Sequence, residues 1–146
     1  MGGAYWKPYS EHNIEMDVLA ARIVFESGIP ITAIGLDVTL RVWMREREVE
    51  RIRNLPNDLG AMLEGQIRRW WRFLGTNQNN PHDPLAALAM VRPELFSFAP
   101  CDVAICMEND RRGHLIRRDD PNGKTSAAYD LDVHSAERLL LGYIAG

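Results

Sequence analysis

His82 and Asp83 stand side by side where a polar run, Asn79-Asn80-Pro81, gives way to the apolar segment Pro84-Leu85-Ala86-Ala87-Leu88-Ala89-Met90. The pair sets an imidazole, which titrates near neutral pH, beside a carboxylate. A loop that meets a buried helix is a place where sites are often built. The same residues also suit a purely local role. Asp83 is a good N-cap, and Pro84 fits the first helical position because its missing N–H would have no partner there. The local pattern leaves both readings open. A second group of polar side chains, Glu11, His12 and Asn13, lies near the start of the chain. Before it comes Met1-Gly2-Gly3-Ala4, whose glycines suit a backbone that turns sharply or lets another group approach. A loose terminus is the alternative reading of those first residues.

The elements around these residues follow from periodicity and punctuation. Asp17 reads as an N-cap, Val18 to Ser27 as a mostly apolar helix, and Gly28 as its left-handed stop. Ile29 to Thr39 is β-branched and nearly continuously apolar, as expected of a strand covered on both faces. Leu40 to Asn54 alternates arginine and glutamate, the mark of a solvated helix with local ion pairs. Pro56-Asn57-Asp58 restarts the chain, after which Leu59, Met62, Leu63, Ile67, Trp70 and Leu74 recur at helical spacing and Gly75 ends the helix. Arg68-Arg69-Trp70-Trp71-Arg72 reads as part of that helix, with one tryptophan in the core and arginines outside, rather than as a base-stacking platform. Pro93 breaks the helix that follows His82-Asp83. Cys101 to Glu108 and His114 to Arg118 make a hairpin around Asn109-Asp110-Arg111-Arg112-Gly113. Ala127 to Val133 is a last strand, and Ser135 to Ala145 a last helix. The class is α/β with an open mixed sheet, flanking helices and a β-hairpin.

Composition narrows the function classes. The chain has 146 residues, 46% of them hydrophobic and 25% charged, with a net charge of −3. That is one globular domain's worth of chain. The acidic balance argues against a nucleic-acid binder. No apolar run reaches the roughly 20 residues of a membrane span, and the start lacks the apolar core of a secretory signal. Cys101 and Cys106, five positions apart in the expected strand, would face opposite sides of a sheet and lie beyond disulfide reach. They belong to no C-x-x-C pair and read as reduced, packed thiols of a cytoplasmic protein.

Several segments together resemble one family. Met1-Gly2-Gly3-Ala4, Glu11-x-Asn13, the Asp17 helix with Ala20-Ala21, and Gly35-Leu36-Asp37-Val38-Thr39 occur in order. His82-Asp83-Pro84-Leu85-Ala86, Arg92-Pro93-Glu94-Leu95-Phe96 and the hairpin with Arg112-Gly113 follow. The set resembles the C-terminal half of the inosine-uridine preferring nucleoside hydrolases, over nearly the whole chain. The resemblance implies a single partial domain, residues 1–146, of an open α/β fold that cleaves the N-glycosidic bond of ribonucleosides with a bound calcium ion. It implies that His82 is the acid near the leaving base and Asp83 a calcium ligand. It further implies that Glu11 and Asn13 hold ribose hydroxyls, that Met1 lines the pocket, and that Trp70 is a flap aromatic over the base.

The sequence also departs from the family. His12 stands where an aromatic is usual between the glutamate and the asparagine, and the loop after Met1-Gly2-Gly3-Ala4 is short. The aspartate-rich motif Asp-x-Asp-Pro-Gly-x-Asp-Asp, which carries most calcium ligands in the family, has no counterpart here. Calcium takes roughly six to eight oxygens, more than Asp83 supplies. The expectation is therefore a nucleoside hydrolase-like chain that is inactive alone, with either a homo-oligomer or a missing N-terminal half as its partner. The alternative expectation is a non-catalytic module that self-associates.

Overall fold

A computed structural model of the chain describes residues 1–8, 10–55 and 58–145. The chain begins with a loop over residues 1–8 that leads to two short helices, α1 (His12–Met16) and α2 (Val18–Glu26). Asp17 caps α2 by accepting the Ala20 N–H at 2.9 Å, and Gly28 beyond its end adopts φ 76°. Next come strand β1 (Ile31–Ala33) and helices α3 (Leu36–Thr39), α4 (Glu46–Arg53), α5 (Asp58–Leu74) and α6 (His82–Val91). Strands β2 (Phe96–Ile105), β3 (Leu115–Asp119) and β4 (Thr125–Leu131) follow, and α7 (Val133–Ala145) closes the order.

The strands form one open mixed sheet in the order β1-β4-β2-β3. β1 runs parallel to β4, whereas β2 is antiparallel to both β4 and β3. The expected hairpin is β2–β3, paired from Cys101–Asp119 to Ile105–Leu115, with Gly113 at φ 88° in its connection. Alternation along the strands sends neighbouring residues to opposite faces, and each face carries a core. On one face Ile34, Val38, Leu85, Leu88, Ala128 and Leu140 pack beneath α3, α6 and α7. On the other, Tyr5, Ala33, Cys101 and Ala127 continue into Ile14, Val18 and Ile105 beneath α1 and α2.

Four local expectations are corrected. The run from Ile29 to Thr39 is a strand only over Ile31–Ala33, and its second half is helix α3. The turn is imposed from a distance, because Leu36 N–H donates to the Gly3 carbonyl at 2.8 Å and pulls the backbone out of the sheet. The helix of Leu40 to Asn54 is shortened to Glu46–Arg53, starting where the Glu48 carboxylate reaches back to accept the Arg45 N–H at 3.1 Å. The expected N-cap Asp83 is already inside α6, which starts at His82 after Pro81, so Pro84 is third in the helix. Its ring still falls in the first turn, where the absent N–H has no partner. The core tryptophan of α5 is Trp71, at 4% exposure, and not Trp70, at 49%. The expected restart at Pro56-Asn57 lies outside the described residues. Cys101 is buried in β2, Cys106 lies just beyond that strand, and both are free thiols.

Candidate active site

The site is assembled around the loop of the first residues, beyond the C-terminal end of β1. Gly2 N–H donates to the Ile34 carbonyl at 3.1 Å, and the Gly3 carbonyl accepts from Leu36. Gly3 sits at φ 84°, and a Cβ there would meet Leu115 Cδ1 at 2.3 Å, so only glycine fits. The first residues are therefore anchored rather than loose, and Ala4 is buried.

Glu11 pins the same loop. Its Oε2 accepts the Gly3 N–H at 3.0 Å and the Ile14 N–H at 3.2 Å, and its Oε1 accepts the Asn13 N–H at 3.0 Å. The side chain is only 4% exposed, and it caps the N-terminus of α1. Asn13 Nδ2 donates to the Met1 carbonyl at 3.2 Å. Asp37, to which sequence reasoning assigned no role, holds the rest of the loop by accepting the Tyr5 and Trp6 N–H groups at 2.6 and 3.0 Å.

His82 arrives from the other side, on the first residue of α6. The loop before it is clamped in three places. Met44 and Asn79 exchange backbone hydrogen bonds at 2.8 and 3.0 Å, Trp71 Nε1 donates to Asn79 Oδ1 at 2.7 Å, and Asn80 Nδ2 donates to the Val42 carbonyl at 2.7 Å. The His82 ring then places Nδ1 2.8 Å from the hydroxyl of Thr39, a fully buried residue at the end of α3. Burial holds the imidazole below its ordinary pKa, against the opposing pull of the Asp83 and Glu11 carboxylates.

Two grooves meet at Met1. The larger, about 770 Å³, is lined by Met1, Ile34, Asp83, Ala86, Met90 and Phe98. The smaller, about 350 Å³, lies on the opposite face of β1 and includes Met1, Asn13, Ile14 and Val24. Met1 thus shares the larger groove with Asp83 and the smaller with Asn13, while Glu11 bonds the loop beside Met1 and His82 precedes Asp83 on α6, neither of them lining either groove. Trp70 stands apart on α5, half exposed and stacked on Phe73 at 5.5 Å, and lines neither groove.

Asp83 offers one carboxylate in a groove otherwise lined mainly by apolar side chains. Among the described residues, no group of three or more His, Cys, Asp or Glu side chains is placed to hold a metal ion. Calcium needs roughly six to eight oxygens, so the residues of this chain do not by themselves fit that ion. No helix among the described residues is long and apolar enough to cross a membrane.

Known proteins share the sequence pattern and the fold. The chain is 38% identical over 117 residues to the pyrimidine-specific ribonucleoside hydrolase RihA of Shewanella baltica, a match covering 72% of this chain and 36% of that protein. It is likewise 38% identical over 109 residues to RihA of Escherichia coli O9:H4, covering 66% and 34%. The structure superimposes on the purine-preferring ribonucleoside hydrolase from Gardnerella vaginalis with a TM-score of 0.88 at 31% identity, covering 100% of this chain and 51% of that one. A plant nucleoside hydrolase, PpNRh1, has the same fold at 22% identity, with a TM-score of 0.85 and 52% of its chain covered. The chain spans about a third of the length of these curated relatives and half that of the solved ones. The sequence model described as inosine-uridine preferring nucleoside hydrolase matches residues 1–138, and the chain belongs to that family.

Proposed function

We propose that this chain is one partial domain of a nucleoside N-ribohydrolase, and that it forms one wall of the ribonucleoside pocket. The observation that carries the proposal is the loop of Met1 to Gly3, which Glu11 and Asn13 hold by hydrogen bonds and whose Met1 shares a groove with Asp83, the neighbour of His82. Cleavage of the N-glycosidic bond builds positive charge on the ribose and negative charge on the departing base. Carboxylates beside the sugar stabilise the first, and a donor on the far side stabilises the second. In this reading His82 faces the leaving base. Glu11 and Asn13 hold ribose hydroxyls. Glu11 Oε1 accepts a single N–H, so one of its lone pairs stays available to a hydroxyl. Met1 lines the pocket. Asp83 is one ligand of a calcium ion whose remaining ligands lie outside this chain.

The substrate class is a ribonucleoside. The names of the relatives point to pyrimidine and purine bases alike. Two free thiols suit the cytoplasm as the location. The test compares ribose release from inosine and uridine, with calcium present, by the 146-residue chain and by a protein extended with an aspartate-rich segment. The chain alone should release none and bind no calcium, and the extended protein should do both. Robust calcium-dependent turnover by the chain alone would sink the claim that its site is incomplete. A non-catalytic, self-associating module is the second reading, favoured by the edge of β1 that no described strand pairs and the apolar surface beside it.

A further inference from the structure

The hydrogen bond between Thr39 and His82 has only one polarity that satisfies both groups. Thr39 is fully buried, and among the described residues its hydroxyl has one partner, His82 Nδ1 at 2.8 Å. A hydroxyl carries one hydrogen and can also accept. If the ring donated from Nδ1, the hydroxyl hydrogen would be left in the core without an acceptor, which buried polar groups avoid. The Gly35 carbonyl one turn earlier offers no substitute, since it already accepts the Val38 and Thr39 N–H groups and makes no bond to the hydroxyl. The hydroxyl must therefore donate, and Nδ1 must be the bare, accepting nitrogen.

We propose that Thr39 is a positioning residue that fixes His82 in the tautomer protonated at Nε2 and sets the direction in which that N–H points. Nε2 has no protein partner among the described residues. It is thus a donor kept for a ligand acceptor, such as a ring nitrogen or carbonyl oxygen of a nucleobase. No proton changes owner in this contact. The nature of the ligand rests on the reading of the site as a nucleoside pocket, whereas the tautomer does not.

The test is nitrogen NMR of the 146-residue chain labelled with 15N-histidine, at a pH where the rings are neutral. Loss of one signal set in His82→Gln assigns the ring among the four histidines. The expected spectrum shows His82 as a single tautomer, with hydrogen on Nε2 and an accepting Nδ1. Thr39→Val should leave an averaged ring, and Thr39→Ser should restore the fixed one. Hydrogen on Nδ1 in the unaltered chain would overturn the proposal, and that measurement needs no variant to fold. An unchanged ring in a folded Thr39→Val chain would also overturn it. Neither outcome bears on whether the extended protein cleaves nucleosides.

Discussion

Both carboxylate oxygens of Glu11 accept backbone N–H groups, from Gly3, Asn13 and Ile14, in a position that water scarcely reaches. Its removal therefore acts on stability before it acts on any substrate. Glu11→Ala leaves those donors unpaired and should lower the unfolding free energy by about 2–3 kcal/mol. Glu11→Gln keeps one carbonyl oxygen but turns an NH₂ group toward a backbone donor, so it should fall in between. Urea unfolding at matched slopes checks both. A loss below about 0.5 kcal/mol for Glu11→Ala would show that the three bonds do not hold the loop. The residue scale also shows what sequence reveals of a site. Glu11, Asn13, His82 and Asp83 are legible because their side-chain types are chemically conspicuous and stand beside recognisable punctuation. Thr39 and Asp37 are not. Their partners lie 43 and 32 residues away, and each serves by holding something else in place.

Elements were legible where their signals are local. The cap at Asp17, the stops at Gly28 and Gly75 and the hairpin around Gly113 all stand where the sequence places them. Where a distant contact decides, the local pattern misleads. β1 is cut short by the loop of Gly2 and Gly3, although its sequence reads as strand to Thr39. An apolar stripe on α5 shows which face is apolar but not whether anything covers it. Leu59, Met62 and Trp70 remain exposed, while the neighbouring Trp71 is buried through its bond to Asn79. Helix α6 gives the sharpest contrast within one element. Leu85 is completely buried in the core beneath the sheet, and Met90 is 85% exposed. Leu85→Ala should cost about 2–5 kcal/mol, the range for a core leucine truncated to leave a cavity. Met90→Ala should change stability by no more than about 0.5 kcal/mol. The same urea experiment separates them, and equal losses would mean that α6 is not seated on the sheet by its Leu85 face.

At the scale of the molecule, the sheet ends in two edge strands, β1 and β3, and the outer side of β1, which no described strand pairs, lies beside the site. β1 bonds to β4 through Ile31, whose N–H donates to the Lys124 carbonyl at 2.8 Å. Alternation of a parallel ladder then turns the N–H and carbonyl of Thr32 toward the open side. Grooves of about 770 and 350 Å³ flank this edge on its two faces. Beyond the smaller, α2 exposes Leu19, Ile23 and Val24 at 56, 61 and 54%. Unpaired backbone beside contiguous apolar surface is a template for association. The 146-residue chain alone should therefore sediment as a dimer or larger species, with the fraction rising with concentration. Ile23→Lys, which puts a charge on the apolar face of α2 without touching the core, should shift it toward monomer. A chain that stays monomeric across the concentration range and unfolds cooperatively would count against both the self-associating module and the picture of a sheet that requires further cover. If association occurs and is suppressed by an added aspartate-bearing segment that also confers calcium binding, the open edge and the incomplete calcium site have one cause, and the self-associated form is what the chain adopts without that segment.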